Sequence, residues 1–224
     1  TPFSSLTPEQ IHQMNQVLER LVRKLNDKVS RRQVVKNRGA LDVKQTLRQA
    51  NRFQGIPVRL RFKDKAPRKA AIVTLCDVSG SVWSTAWFML HLLYALQDCF
   101  TGVRSFVFVS DLAEVTGFFD SNDLNRAVDM AMQRADINYH DRTDYGQAFQ
   151  SFEKSHMDLL NRKTTLIVLG DGRSNYQNPR AELLARFREK VRRLIWLNPE
   201  PAGTWYTGDS EIRHYRHHCH GMYT

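Results

Sequence analysis

The sequence has no long hydrophobic run. No stretch of about 18 apolar residues, the length that a membrane-spanning helix needs, occurs in its 224 residues. The most apolar stretch, residues 86–96, is short and is interrupted by His91. The N-terminus has no basic segment followed by an apolar one. We therefore expect neither a membrane span nor a secretory signal peptide.

Cysteine is scarce, with three residues at Cys76, Cys99 and Cys219. An odd number without regular spacing argues against a disulfide framework and fits a reducing compartment. We therefore expect a cytoplasmic protein whose thiols are small buried hydrophobic groups. Hydrophobic residues make up 42% of the chain, which is enough for a sizeable core.

Acidic residues are almost missing from residues 20–69, which hold 17 Lys and Arg but only three Asp. The segment has a net charge of +14, against +10 for the whole chain, so the remainder carries −4. Clustered positive charge of this kind favours an acidic partner. The candidate partner-binding residues are Arg31, Arg32, Lys36 and Arg38.

Two partners fit the basic segment. A nucleic acid needs only clustered Lys and Arg to contact its phosphates. However, Phe53 and Phe62 are the only aromatic residues of the segment that could stack on bases. A solvated surface is the default interpretation of the segment, and an acidic protein and nucleic acid are the two candidate partners.

The N-terminal part of the chain has a helical pattern. Thr7, Pro8 and Gln10 form the start signal of a helix, with a capping box and proline in the first turn. Apolar residues then recur at three and four positions, at Ile11, Met14, Leu18, Leu21 and Leu25. A short helix near residues 42–51, an edge strand at 56–62 and a linker at 63–69 follow. We interpret residues 1–66 as a basic, largely helical extension.

Strands and helices alternate after the linker, which predicts an α/β domain over residues 67–224. The architecture expected is a Rossmann-like open, mostly parallel sheet with helices on both faces. The predicted strands are 70–76, 103–109, 113–118, 164–169 and 194–197, the second and third forming a hairpin. The predicted helices are 83–100, 122–135, 145–160 and 179–192, of which the first is apolar on nearly all sides.

Oxygen-bearing side chains follow two of the predicted parallel strands. The first strand leads into Asp77, Ser79 and Ser81, whose period-two spacing lets all three converge from one loop. The later strand ends at Asp171 between two glycines, and Thr143 lies in a loop before a helix. Open α/β sheets bind ligands beyond the carboxyl ends of their strands, so we expect these five residues to lie together.

Two carboxylates and three hydroxyls are hard ligands that suit Mg²⁺, with Mn²⁺ and Ca²⁺ as alternatives. No Cys or His belongs to the set, which argues against zinc. Because only two ligands are anionic, the carboxylate of a partner's Asp or Glu would complete the coordination shell. A simple strand-to-helix turn is the other interpretation of the loop, since Asp and Ser also cap helices. Asp144, next to the set, is better explained as the cap of the helix at Tyr145.

This three-part set resembles the metal-ion-dependent adhesion site of von Willebrand factor A (VWA) domains. The spacing also agrees, with 66 residues from Asp77 to Thr143 and 28 more to Asp171. The likeness implies that the three hydroxyls bind the ion directly and that the two carboxylates do so directly or through water.

Further segments narrow the resemblance to CoxE-type VWA proteins, over about residues 30–220. The segments are Arg31-Arg32, 41–48 (LDVKQTLR), 73–81 (VTLCDVSGS), 142–146 (RTDYG), 169–173 (LGDGR) and 196–200 (WLNPE). The resemblance implies an adaptor that works with a MoxR-type AAA+ ATPase in the maturation or assembly of a client complex. It also implies a closing helix after the last strand, which this sequence is expected to lack.

Enzymatic interpretations fit the residues poorly. A haloacid dehalogenase-type phosphatase needs a second Asp where Ser79 stands, and an esterase elbow needs Gly where Asp77 stands. We therefore expect no enzymatic activity. A soft-metal site in the histidine-rich residues 214–220 is a weaker hypothesis than a terminal strand or a frayed end.

Overall fold

The computed structural model describes residues 72–99, 102–121 and 124–224. The predicted N-terminal extension, with Arg31, Arg32, Lys36 and Arg38, lies outside the described residues. The boundary that we predicted between residues 66 and 67 is likewise not tested.

Six strands form one open sheet. They are β1 (Ile72–Asp77), β2 (Val103–Phe108), β3 (Leu112–Glu114), β4 (Thr165–Leu169), β5 (Arg193–Leu197) and β6 (Gly221–Tyr223). The strand order is β3-β2-β1-β4-β5-β6. All neighbouring pairs are parallel except β2 and β3, which form an antiparallel hairpin. The predicted mostly parallel α/β fold is confirmed.

The central strand β1 is buried on both of its faces, as expected for a parallel strand with helices on each side. Six helices surround the sheet in the described ranges. They are α1 (Trp83–Cys99), α2 (Thr116–Ser121), α3 (Leu124–Gln133), α4 (Tyr145–His156), α5 (Ala181–Lys190) and α6 (Ile212–Tyr215). Short 3-10 turns follow α4, β5 and α6 at Met157–Leu159, Ala202–Thr204 and Arg216–His218.

The two faces of the sheet are covered by different helices. Val73 and Leu75 of β1 pack into an aromatic-rich core with Phe149 of α4 and Phe187 of α5. Thr74 and Cys76 alternate with them and are buried on the opposite face. There α1 packs on β1 and β2, and α3 packs on α1. Every side chain described in α1 is buried or half-buried, in agreement with its all-round apolar sequence.

The strand predicted over residues 113–118 is wrong in its second half. The strand ends at Glu114, and Thr116–Ser121 is helical. The Thr116 hydroxyl accepts a hydrogen bond from the Ser105 amide (3.0 Å) and donates to the Glu114 carboxylate (2.6 Å), so the chain turns there. Phe119 is then buried with its ring edge-on to Tyr94 of α1, 6.3 Å between centroids. Its aromatic character reflects contact with a helix and does not reflect strand pairing.

The histidine-rich segment is neither a terminal strand nor a frayed end. It forms α6 and the 3-10 turn after it, and the chain then adds β6 beside β5. Two hydrogen bonds join His220 to β5. The Leu194 amide donates to Nδ1 of His220 (3.0 Å), and the His220 amide donates to the Leu194 carbonyl (2.8 Å). Strand β6 was not predicted from the sequence because the strand has only three residues. No helix among the described residues is long and apolar enough to cross a membrane.

Candidate metal centre

The first carboxylate of the candidate site belongs to Asp77, the last residue of β1, and the loop that follows fixes its orientation. Asp77 is fully buried, and its Oδ1 accepts a hydrogen bond from the Ser79 amide at 2.8 Å. The hydroxyls of Ser79 and Ser81 lie 3.2 Å apart, so the loop brings them to one point. Ser79 is buried and Ser81 is exposed, which places the set at the bottom and mouth of a surface depression.

The second carboxylate follows the neighbouring strand β4. Asp171 is 1% exposed, and its Oδ1 accepts a hydrogen bond from the Arg173 amide at 2.9 Å. Gly170 precedes it at a position that only glycine can occupy, because a Cβ there would lie 2.0 Å from the Tyr145 hydroxyl and 2.8 Å from the Asp77 Cβ. The two strand ends therefore approach closely enough for both acids to share one site.

Tyr145 joins the two strand ends. Its hydroxyl donates to Oδ2 of Asp77 at 2.6 Å and accepts from the Gly172 amide at 3.0 Å. The ring is fully buried and stacks on Trp196 of β5, with 5.6 Å between centroids. From the sequence, Tyr145 was predicted only to be the first residue of a helix. Its contact with both strand ends was not predicted, because that contact depends on β1, β4 and α4 meeting in space. The RTDYG segment was the sequence feature that pointed to this position.

Thr143 lies in the loop before α4, as predicted. It is 7% exposed, and its carbonyl accepts a hydrogen bond from the Asn175 side chain at 3.2 Å. The next residue, Asp144, caps α4 by accepting a hydrogen bond from the Gln147 amide at 2.8 Å. The capping role predicted for Asp144 is therefore confirmed.

A cleft of about 250 Å³ opens over the site. Two of the predicted ligands, Ser81 and Thr143, line it together with Arg142 and Arg173. Arg173 is fixed by two hydrogen bonds to the Glu200 carboxylate (2.8 and 3.0 Å) and one to Asp209 (3.1 Å). The exposed Arg142 side chain forms no hydrogen bond or ion pair with the described residues, but two acids, Asp141 and Asp209, line the same cleft, and the charge of Arg142 lowers the pKa of Asp141.

The buried environment makes both carboxylates costly to ionise. Burial raises the pKa of Asp77 to about 6, although hydrogen bonds from Ser79 and Tyr145 counteract part of this effect. Burial and the negative charge of Asp77 raise the pKa of Asp171 to about 7, against hydrogen bonds from the Arg173 amide and Ser81. Neither carboxylate forms an ion pair with a cationic side chain in the part of the chain that the structure describes.

The donor set fits a hard cation. In the described ranges, no three His, Cys, Asp or Glu side chains come together as a metal-ligand group. The five predicted residues differ from such a group because three of them contribute hydroxyls. Two ionised carboxylates and three hydroxyls at one sheet edge match the oxygen ligands of Mg²⁺. A cation there would also offset the cost of burying two negative charges.

The comparison with protein families agrees with this fold. The model described as a VWA domain containing CoxE-like protein matches residues 14–222. The chain belongs to this family. A comparison with curated proteins finds no match.

Several solved structures are similar to this VWA protein at low identity. A von Willebrand factor type A protein from Catenulispora acidiphila is 18% identical with a TM-score of 0.43, over 69% of this chain and 38% of its own. The conserved hypothetical protein BatB from Bacteroides thetaiotaomicron is 15% identical with a TM-score of 0.42, over 69% and 88%. Proximal thread matrix protein 1 from the mussel byssus is 16% identical with a TM-score of 0.47, over 70% and 43%.

Proposed function

We propose that the five clustered residues bind one divalent cation, with Mg²⁺ favoured and Mn²⁺ and Ca²⁺ as alternatives. The residues are Asp77, Ser79, Ser81, Thr143 and Asp171. One observation carries the proposal: two buried carboxylates lie at adjacent strand ends, neither forms an ion pair with a cationic side chain of the described residues, and Ser81 and Thr143 line an open cleft. Such a pair is stable as two anions only when a positive charge joins it.

The proposed ion serves recognition. Two anionic ligands leave it with net positive charge and with coordination positions for water. The carboxylate of a partner's Asp or Glu would replace one of these waters. Arg142 and Arg173 line the cleft with two acids, Asp141 and Asp209, so the attraction for an acidic ligand would come mainly from the ion.

We place this recognition in a non-enzymatic adaptor that works with a MoxR-type AAA+ ATPase on a client complex. The family membership supports this partner class. The hydrogen bonds of Ser79 and Ser81 support a non-catalytic role, because those that the structure gives run to each other and to the two acids and none runs to a histidine. Cys76 and Cys219 are free thiols, which fits the proposed cytoplasmic location.

A pull-down of the family's ATPase with the full chain, in Mg²⁺ and in EDTA, tests the proposal. We expect capture in Mg²⁺ that is lost in EDTA and in Asp77→Ala. Asp141→Ala is the matched control, because Asp141 is an exposed acid at the same cleft that is outside the predicted ligand set. It should keep the partner.

Two outcomes would contradict the proposal. Capture that survives both EDTA and Asp77→Ala would remove the metal from the interaction. Binding of nucleic acid that ignores EDTA and falls steeply with salt would favour the alternative function of the basic residues 20–69.

A further inference from the structure

A second cleft lies at the opposite end of the sheet. It has a volume of about 640 Å³, within the range of ligand-binding clefts (about 300–1,000 Å³). Arg162, shortly before β4, and Arg192, directly before β5, lie on its wall. Because β4 and β5 are parallel, their amino ends lie roughly 15 Å from the carboxyl end that carries the metal centre. We call this cleft the amino-end groove.

The amino-end groove is rich in positive charge. Its lining includes Arg162, Arg188, Arg192, His218 and His220 but only one acid, Glu189. Arg162 and Arg192 are exposed, and neither side chain forms a hydrogen bond or ion pair within the described ranges. Arg188 differs, since its guanidinium donates to the His217 carbonyl and lies in the last turn of α5, where the helix dipole offsets part of its charge.

The two histidines respond to this concentration of charge. Partial burial and the charge of Arg188 lower the pKa of both His218 and His220 below the ordinary value. Arg193 adds to the effect at His220, and His217 adds to it at His218. Nδ1 of His220 accepts a hydrogen bond from the Leu194 amide, so its proton is carried on Nε2. Both rings are therefore mainly neutral near pH 7, and an anion bound beside His218 would raise the pKa of that ring.

The wall chemistry favours carboxylates over nucleotides. Among the described residues, no aromatic side chain lines the groove apart from the two imidazoles, so bases find no large ring there to stack on. The half-buried Ala185 supplies a small apolar surface that suits the aliphatic stems of Glu and Asp. Guanidinium groups bind carboxylates with paired hydrogen bonds.

We propose that the amino-end groove binds an acidic peptide segment of a protein partner. This site is independent of the metal, because it lies at the other end of the sheet. The chain would then have two acid-binding ends, one through a cation and one through arginines. An adaptor with two such ends can hold two proteins, or two parts of one protein, at the same time.

Titration of the full chain with a fluorescein-labelled poly-glutamate decapeptide in EDTA tests this proposal. EDTA keeps the metal centre out of the measurement. We expect the peptide to shift the imidazole NMR signals of His218 and His220 and to raise the pKa of His218. Arg162→Ala with Arg192→Ala should weaken this groove-specific binding by at least about tenfold, because each lost charge-assisted pair is worth about that factor.

The control removes the same charge elsewhere. Arg134 and Lys154 are exposed and lie outside the groove, and their double alanine variant should change the imidazole response less than about twofold. Thermal unfolding of each variant verifies that the fold is intact. Imidazole signals that ignore the peptide, or an equal loss in both double variants, would overturn the proposal. Single-stranded DNA of equal charge that binds the groove more tightly than the peptide would also overturn it.

Discussion

The two ends of the sheet carry opposite charges in opposite states of burial. At the carboxyl end, Asp77 and Asp171 are at most 1% exposed, and backbone and hydroxyl donors hold them in place. At the amino end, Arg162 and Arg192 are exposed and are held by no hydrogen bond or ion pair of the described residues. One end is a rigid, buried site, and the other is an adaptable surface.

This difference in burial predicts that the two ends affect the free energy of unfolding differently. A buried charge without a counter-ion opposes folding, so the carboxyl end should gain stability when a cation binds. Exposed arginines remain hydrated and oppose folding little, so the amino end should have almost no effect on the free energy of unfolding. Measurements of the free energy of unfolding and of Mg²⁺ affinity can test this contrast between the two ends.

The largest effect is expected from pH in the absence of metal. The folded state raises the pKa of Asp77 to about 6 and that of Asp171 to about 7, from an ordinary value of 3.8. The folded state therefore binds these protons more tightly than the unfolded state, and stability falls as pH rises from about 4 to 7. In EDTA we expect this loss to be on the order of several kcal/mol, measured by urea unfolding.

Two comparisons sharpen the pH prediction. Asp77→Asn should flatten the curve in EDTA, because the neutral amide has no proton to lose. Asp141→Asn should give a curve parallel to that of the unchanged chain, since Asp141 is exposed. A curve in EDTA that rises through this pH range and is unaffected by Asp77→Asn would contradict the assignment of the cost to the carboxyl end.

Removal of the Tyr145 hydroxyl should have the next largest effect. Tyr145→Phe leaves the buried Gly172 amide without its acceptor and removes one of the donors to Asp77, at a cost of about 1–3 kcal/mol in the free energy of unfolding. Affinity for Mg²⁺ should fall by about 10- to 100-fold, because Tyr145 orients a predicted ligand. Calorimetry measures the affinity, and denaturant unfolding measures the stability.

Tyr176→Phe is the control for that variant. Tyr176 is 80% exposed, so the loss of its hydroxyl should change the free energy of unfolding by less than about 0.5 kcal/mol. If Tyr145→Phe kept its Mg²⁺ affinity and lost only stability, Tyr145 would be a core residue with no influence on the ion.

The smallest effect is expected at the amino end. Arg162→Ala combined with Arg192→Ala should change the free energy of unfolding by less than about 0.5 kcal/mol. Urea unfolding in EDTA provides the measurement. A loss as large as that of Tyr145→Phe would mean that these arginines stabilise the fold, and the contrast between the two ends would not hold.

The sequence was sufficient for the mostly parallel sheet and for the placement of Asp77 and Asp171 at the ends of neighbouring strands. Buried parallel strands have continuous apolar sequences, and residues that follow two such strands meet at one edge by geometry alone. Asp77 and Asp171 were therefore predictable from their positions. Their metal-binding role remains a prediction.

Other features depend on contacts that no local pattern encodes. Residues 113–118 contain the β-branched and aromatic residues of a strand, but the chain is helical from Thr116 and packs Phe119 on α1. Tyr145 reaches Asp77 across 68 positions of sequence. The amino-end groove joins Arg162 to His218 through the parallel pairing of β4 and β5, so the histidine-rich segment alone suggested only a metal site, a terminal strand or a frayed end.

Calorimetric titration of the full chain with Mg²⁺ near pH 8 is the most direct test of whether the buried carboxylates bind a cation. We expect one ion per chain, no binding in Asp77→Asn or Asp171→Asn, and unchanged binding in Asp141→Asn. Asp77→Asn should at the same time be more stable than the unchanged chain in EDTA, which separates loss of the site from loss of the fold. Absence of Mg²⁺, Mn²⁺ and Ca²⁺ binding, or an equal loss in Asp141→Asn, would contradict cation binding by the buried carboxylates.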